Sequence, residues 1–139
     1  MGRTFSGDEV ASILVVEADP LVASYIGNIL RELRFVIAGI ASSGGEALAI
    51  AELCSPDLAL VDMRLAGPID GLELVHRLQS GFGVPSIFLS PRIDRELERR
   101  AGEIRPIGFL QKPFEPSRAF RAIEAALGAP PLSSLGSPA

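Results

Sequence analysis

Polar and charged side chains follow four short apolar runs of this chain. Glu17, Asp62 and Ser90 each come directly after such a run, and Lys112 follows a fourth run after a single glutamine. If these runs are parallel strands of one sheet, their carboxyl ends lie along one edge, which is where open α/β sheets bind ligands. Two carboxylates, a hydroxyl and an ammonium would then meet in one crevice. The sequence therefore predicts a charged site at this edge of the sheet.

The lysine in this set stands out against the rest of the chain. Lys112 is the only lysine, whereas the sequence contains twelve arginines. A lysine carries a compact and flexible point charge, while arginine presents a planar fork of donors. A single lysine at this position therefore suits an interaction with a phosphoryl oxygen.

The composition indicates an ordinary globular protein. The chain has 139 residues, of which 47% are hydrophobic and 22% are charged, so we expect one domain with a substantial core. The net charge of −4 provides no basic field, and we expect no direct contact with nucleic acid. Cys54 is the only cysteine, which excludes a disulfide framework, and we expect a small buried thiol at a helix end.

No part of the sequence has the features of a targeting or membrane segment. The first residues lack the apolar core of a signal peptide, and no run approaches the length of a membrane-spanning helix. We therefore expect a cytoplasmic protein without a membrane partner.

Apolar runs and helical segments alternate along the chain. The runs that predict strands are nearly all apolar, as in strands covered on both faces; they are 12–17, 35–40, 57–62, 84–89 and 107–111. Five strands that alternate with five helices predict a doubly wound α/β domain with a parallel sheet. We place this domain at 12–128, between a flexible lead-in at 1–11 and a flexible tail at 129–139.

Capping signals mark where the helices begin. Asp19 followed by Pro20 predicts the start of a helix over 20–33, and Ser43 with Glu46 has the spacing of a capping box. That second helix should end near Cys54. The remaining helices are predicted from helical spacing over 70–79, from a charged segment over 94–100, and from Glu115-Pro116 to Gly128.

Taken in order, the strand-end motifs resemble the receiver domain of bacterial response regulators. The motifs are Ile13–Glu17, Leu60–Leu65, Asp70–Gly71, Phe88–Ser90 and Phe109–Phe114. The resemblance covers about 12–127 and implies a flavodoxin-like sheet in the order 2-1-3-4-5. It also implies a signalling switch, not an enzyme, which accepts a phosphoryl group from a histidine kinase or a phosphotransfer protein.

The resemblance assigns a role to each residue of the acidic site. It makes Asp62 the phosphoacceptor, which is both the nucleophile and a ligand of Mg²⁺. Glu17 and the backbone carbonyl of Arg64 would complete the metal ligands, since carboxylates suit magnesium. At the position of the family's second acid the chain has Ala18, and Asp19 is a further candidate ligand that already suits a helix cap. We therefore expect weak magnesium binding.

The resemblance also assigns the residues that respond to phosphorylation. Ser90 would be the hydroxyl that binds the phosphoryl oxygen, although Ser90-Pro91 is equally a good start for a helix. Lys112 would pair with the phosphoryl group, and Pro113 would follow a cis peptide bond. Phe109 would be the aromatic switch that turns inward when the hydroxyl moves; a simple core phenylalanine is the alternative.

Two alternatives to a phosphorylated switch remain open. Ala18 favours a pseudo-receiver, which would have the same fold, little phosphorylation and constitutive partner binding. An aspartate-nucleophile phosphatase is less favoured, since such enzymes carry the aspartate where this chain has Glu17. In the favoured interpretation a downstream protein binds at the 92–121 face, and a homodimer is left open.

Overall fold

The computed structural model describes residues 10–102 and 108–128, and five strands alternate with five helices in them. The elements are β1 (Ser12–Val16), α1 (Pro20–Glu32), β2 (Val36–Ala41), α2 (Gly44–Cys54), β3 (Leu58–Asp62), α3 (Gly71–Phe82), β4 (Ser86–Ser90), α4 (Arg95–Ala101), β5 (Gly108–Gln111) and α5 (Pro116–Gly128). The predicted tail at 129–139 and nearly all of the predicted lead-in lie outside the described residues.

All the strands pair in parallel, in the order β2-β1-β3-β4-β5. This confirms both the predicted fold class and the predicted strand order. Strands β1, β3 and β4 are the three inner strands, and β3 and β4 are buried at every residue. Strand β2 is more exposed than predicted, with Val36 and Ile40 open to solvent. It is an edge strand, so one of its sides has no neighbour.

Helices cover both faces of the sheet. On one face α1 and α5 contribute Ile26, Leu30 and Ile123 to a core that includes Leu60. On the other face α2, α3 and α4 supply the apolar residues that pack around Val61. The sheet therefore lies between two apolar layers, and this leaves its carboxyl edge as the place where polar side chains can gather.

The predicted helix starts are largely confirmed. The carboxylate of Asp19 accepts hydrogen bonds from the backbone N–H groups of Leu21 and Val22, at 2.9 and 3.4 Å, and so caps α1. The Ser43 hydroxyl caps α2 by accepting from the Glu46 N–H at 3.2 Å. The reciprocal half of the predicted capping box is wrong, since the Glu46 carboxylate accepts from the N–H of Ser42 at 2.6 Å.

Three other local expectations need correction. Cys54 is exposed and not buried, because the last turn of α2 faces solvent at that position. Helix α3 continues beyond the predicted 70–79 to Phe82 and ends at Gly83, whose φ of 66° suits glycine. Ser90 does not start a helix, because α4 begins at Arg95 and is capped by Asp94.

None of the helices in the described residues is long and apolar enough to cross a membrane.

Candidate functional site

Glu17, Asp62 and Lys112 meet at the carboxyl edge of the sheet. Glu17 directly follows β1, Asp62 is the last residue of β3, and Lys112 directly follows β5. The Lys112 Nζ atom lies 2.7 Å from Glu17 Oε1 and 3.7 Å from Asp62 Oδ2. The structure therefore brings together three residues that are far apart in the sequence, in the crevice predicted from the strand ends.

The two carboxylates of this site are shielded from solvent. Glu17 is 3% exposed and Asp62 is 6% exposed. The second oxygen of Glu17 accepts from the Asp19 N–H at 3.2 Å, and Asp62 Oδ1 accepts from the Arg64 N–H at 2.9 Å. Asp62 Oδ2 accepts none of these backbone bonds and faces Lys112.

Backbone hydrogen bonds between neighbouring strand ends fix these positions. The Glu17 N–H donates to the Ala41 carbonyl at 2.9 Å, and the Lys112 N–H donates to the Ser90 carbonyl at 2.8 Å. Helix α3 begins close behind Asp62: a Cβ atom at Gly71 would lie only 2.8 Å from the Asp62 carbonyl oxygen. Glycine at this position lets α3 pack directly on the end of β3.

Ser90 lies on β4, the strand that pairs with the strand ending in Asp62, and its hydroxyl bonds to the nearby backbone of Arg92. It is the last residue of β4 and is 6% exposed. Its Oγ atom donates to the Arg92 carbonyl at 2.7 Å and accepts from the Arg92 N–H at 3.2 Å. In this conformation the hydroxyl stabilises the turn after β4. It would have to leave that turn in order to bind a group on Asp62.

Phe109 lies on β5 and is only half-buried. Its ring stacks on that of Phe88, with 6.2 Å between the centroids. On its other side it lines a cavity of about 530 Å³ together with Ile93 and Arg121. Phe109 thus packs against the core on one side and is open to the surface on the other, and its role as a switch stays a prediction.

Comparison with known proteins decides the family. The family model described as the response regulator receiver domain matches residues 13–124. The chain belongs to this family. Receiver domains are signalling modules, so the predicted family and the broad functional class are confirmed.

Relatives of this receiver include regulators from several bacteria. It is 34% identical over 127 residues to the phyllosphere-induced regulator PhyR of Methylorubrum extorquens, a match that covers 91% of this chain and 47% of that protein. It is 32% identical over 115 residues to the transcriptional regulatory protein PdtaR of Mycobacterium tuberculosis, over 83% of this chain and 56% of the relative. The receiver thus spans about half the length of these two relatives.

Solved structures of receivers have the same fold. The signal receiver domain of a modulated diguanylate cyclase from Desulfovibrio desulfuricans superposes with a TM-score of 0.80 and 35% identity, and the match covers 86% of this chain and 94% of the other. The PhyR stress response regulator superposes with a TM-score of 0.67 and 30% identity, over 84% of this chain and 45% of that one.

Receiver domains bind Mg²⁺ at an acidic pocket, and the donors of this receiver can be compared with that requirement. Ala18 is exposed and has no ligand atom in its side chain, while the Asp19 carboxylate is held in the α1 cap. Within residues 10–102 and 108–128, no group of three or more acidic, histidine or cysteine side chains could hold a metal. The carboxylates of Glu17 and Asp62 remain, and oxygen donors of this kind suit a magnesium ion that keeps several of its waters.

The peptide bond between Lys112 and Pro113 is cis, as predicted from the resemblance.

One residue of the site was missed. The hydroxyl of Tyr25, on α1, donates to the Phe114 carbonyl at 2.9 Å, in the turn that begins with Lys112. No local sequence signal could reveal this contact, because the two residues are 89 positions apart.

Proposed function

We propose that this receiver is a phosphorylation-dependent switch which accepts a phosphoryl group on Asp62 from a phosphohistidine of a histidine kinase or a phosphotransfer protein. The observation that carries the proposal is the position of Lys112. Its ammonium is 3.7 Å from the Asp62 oxygen that accepts no backbone bond, and it is only 13% exposed. A single cation beside a shielded strand-end carboxylate suits an incoming group with several anionic oxygens.

The proposed transfer uses residues of this chain for each task. Asp62 Oδ2 attacks the phosphorus atom, the bond from phosphorus to the histidine nitrogen breaks, and the imidazole leaves with the electron pair. Lys112 moves from Glu17 to a phosphoryl oxygen. Mg²⁺, held by Glu17, Asp62 and the Arg64 carbonyl, would neutralise charge on the transferring group. Ala18 makes that metal contribution weak.

The proposed response passes from Asp62 to the 92–121 face. Ser90 exchanges its bonds to the Arg92 backbone for a bond to the phosphoryl group, and this frees the turn that leads to α4. Phe109 can then turn inward, away from the surface cavity that it now lines. Such a change shifts the population between two surface states, one of which binds a downstream protein.

The charges of the 92–121 face are suited to a protein partner. Arg99 forms an exposed ion pair with Glu96 on α4, and hydrogen bonding to Glu96 raises the pKa of its guanidinium. Arg118 and Arg121 line the cavity beside Phe109. We place the downstream partner here, in the cytoplasm and without direct contact with nucleic acid or membrane, and we leave open a homodimer through the same face.

A pseudo-receiver is the second candidate, and one observation favours it. Asp19, which follows Ala18, accepts two backbone N–H bonds of α1 through its Oδ1 atom and so serves as a helix cap. A domain that binds magnesium too weakly for transfer would still present the 92–121 face to a partner.

Beryllofluoride, which mimics a phosphoryl group, separates the two candidates. A switch should show changes in NMR chemical shift at Ser90 and Phe109 when beryllofluoride and magnesium are added, and Asp62→Asn should abolish them. A pseudo-receiver should show none in either protein at millimolar magnesium. Thermal unfolding of Asp62→Asn is the control that the variant is folded.

A further inference from the structure

Tyr25 connects helix α1 to the turn that carries Lys112. Its hydroxyl donates to the backbone carbonyl of Phe114 at 2.9 Å, and the two rings pack with their centroids 6.3 Å apart. The chain has one tyrosine and one lysine, so both ends of this connection can be observed individually.

The turn after β5 is held at two points. On one side the Lys112 N–H donates to the Ser90 carbonyl at 2.8 Å, and on the other side Tyr25 holds the Phe114 carbonyl. A cavity of about 390 Å³ lies beside the turn and is lined by Tyr25, Lys112, Pro113 and Phe114. On this side the turn therefore borders open space, and the hydrogen bond from Tyr25 is the polar contact that restrains it there.

The same turn is also tied to the segment that leads from β1 into α1. Lys112 binds Glu17 at 2.7 Å, and Glu17 comes three residues before Pro20 at the start of α1. Within the described residues, two polar contacts join the turn to α1 and to the segment before it. They are the ion pair between Lys112 and Glu17 and the hydrogen bond from Tyr25 to Phe114. When Lys112 leaves Glu17 for a phosphoryl group, the first link is lost and the bond from Tyr25 to Phe114 is the one that remains.

We propose that Tyr25 is a positioning residue, which orders the turn so that the Lys112 ammonium can pair first with Glu17 and then with the phosphoryl group. The second half of this inference rests on the proposed function of Lys112. Without the Tyr25 hydroxyl, the turn would have to be ordered at the moment when the anion binds. The binding of a phosphoryl mimic should therefore weaken, although Tyr25 itself does not touch the mimic.

The test compares the full chain with Tyr25→Phe, which keeps the ring and removes the hydroxyl. Labelling lysine with ¹³C gives one side-chain Cε signal, since Lys112 is the only lysine. We expect this signal to shift and broaden in Tyr25→Phe before any ligand is added. The Kd for beryllofluoride with magnesium should rise about threefold to tenfold, which is the effect of one hydrogen bond of ordinary strength.

Phe120→Leu is the matched control. Phe120 lies on α5, is partly exposed, and its ring contacts Phe35 instead of the turn. It should leave the lysine signal and the Kd unchanged, even if it lowers the thermal unfolding temperature as much as Tyr25→Phe does. Because unfolding is measured for both variants, a loss of stability cannot be mistaken for a positioning effect.

The outcomes distinguish this inference from the proposed function. A Lys112 signal and a Kd of wild-type value in Tyr25→Phe would overturn the inference, and so would equal changes in Phe120→Leu. A wild-type protein without any beryllofluoride response would overturn the proposed function. In that case the lysine signal alone decides whether Tyr25 positions the Lys112 side chain against Glu17.

Discussion

Lys112 and Glu17 form an ion pair of 2.7 Å between the turn after β5 and the end of β1. The distance from Lys112 to Asp62 is longer, at 3.7 Å. In this conformation the ammonium therefore mainly balances the buried Glu17 carboxylate. The proposed transfer requires Lys112 to change partner, and the consequences of this exchange can be tested by substitution.

Lys112→Ala should lower the free energy of unfolding by about 1–3 kcal/mol, because it leaves the buried Glu17 carboxylate without a cation. Urea denaturation measures this loss. The double variant Glu17→Gln with Lys112→Ala should regain most of it, since the amide carries no charge. If Lys112→Ala is as stable as the wild type, the ion pair contributes nothing to the resting fold.

Lys112→Ala should also abolish the beryllofluoride-induced shifts at Ser90 and Phe109 while the protein stays folded. The reason is that, in the described part of the chain, Lys112 is the cation that forms an ion pair with Asp62, and it lies at the end of β5 next to β4. Two-dimensional NMR with and without the mimic checks this. Shifts of wild-type size in the variant would show that Lys112 is not the coupling residue.

Ala18→Asp should tighten magnesium binding at least tenfold, or about 1.4 kcal/mol, because it adds a carboxylate where the site has none. Ala18 is exposed, so the larger side chain can be accommodated. Titration with Mg²⁺, followed by the amide shifts of Asp62, measures the affinity. Ala18→Asn is the uncharged control. Equal affinity in the wild type and in Ala18→Asp would mean that other groups already supply the missing ligand.

Asp19→Ala should destabilise the domain by about 1 kcal/mol, as expected for the loss of a helix N-cap, and should leave magnesium affinity nearly unchanged. Ser43→Ala removes the cap of α2, a helix that contributes none of the residues Glu17, Asp62 and Lys112, and serves as the matched variant. Denaturation and metal titration are measured on both. A marked loss of magnesium affinity in Asp19→Ala alone would identify Asp19 as a ligand instead of only a cap.

Gly71→Ala should lower stability by about 1–3 kcal/mol, since the new Cβ atom would lie 2.8 Å from the Asp62 carbonyl oxygen. Gly45→Ala is the control, because a Cβ atom at that position of α2 meets nothing within 4 Å. Alanine favours the helix there and should be neutral or stabilising. A Gly71→Ala variant with wild-type stability would show that the start of α3 moves away from Asp62 at little cost.

Much of the fold could be predicted because the signals for it are local. Apolar runs that end in Glu17, Asp62 and Ser90 mark the inner strands, and the parallel arrangement then brings their ends together. The cap formed by Asp19 was predictable for the same reason, since its partners are the next backbone N–H groups.

The features that were missed depend on contacts between distant parts of the chain or on solvent exposure. The bond from Tyr25 to Phe114 requires the packing of α1 against the turn after β5. The exposure of Cys54 depends on which side of α2 faces the sheet in its last turn. The bond from the Ser90 hydroxyl to the Arg92 backbone could not be predicted from the sequence. A serine at this position suits a phosphorylation switch and a helix cap equally well, so its type does not reveal its partner.

The central claim is that Asp62 accepts the phosphoryl group, and the most direct test is the intact mass of the protein after incubation with acetyl phosphate and magnesium. The wild type should gain one phosphoryl group, since within the described residues both carboxylate oxygens of Glu17 accept hydrogen bonds, whereas Asp62 Oδ2 has only Lys112 beside it, at 3.7 Å. Asp62→Asn should gain none, and Ser43→Ala, which keeps Asp62 and the proposed magnesium ligands, should still show the addition. An addition of unchanged size in Asp62→Asn would contradict the account.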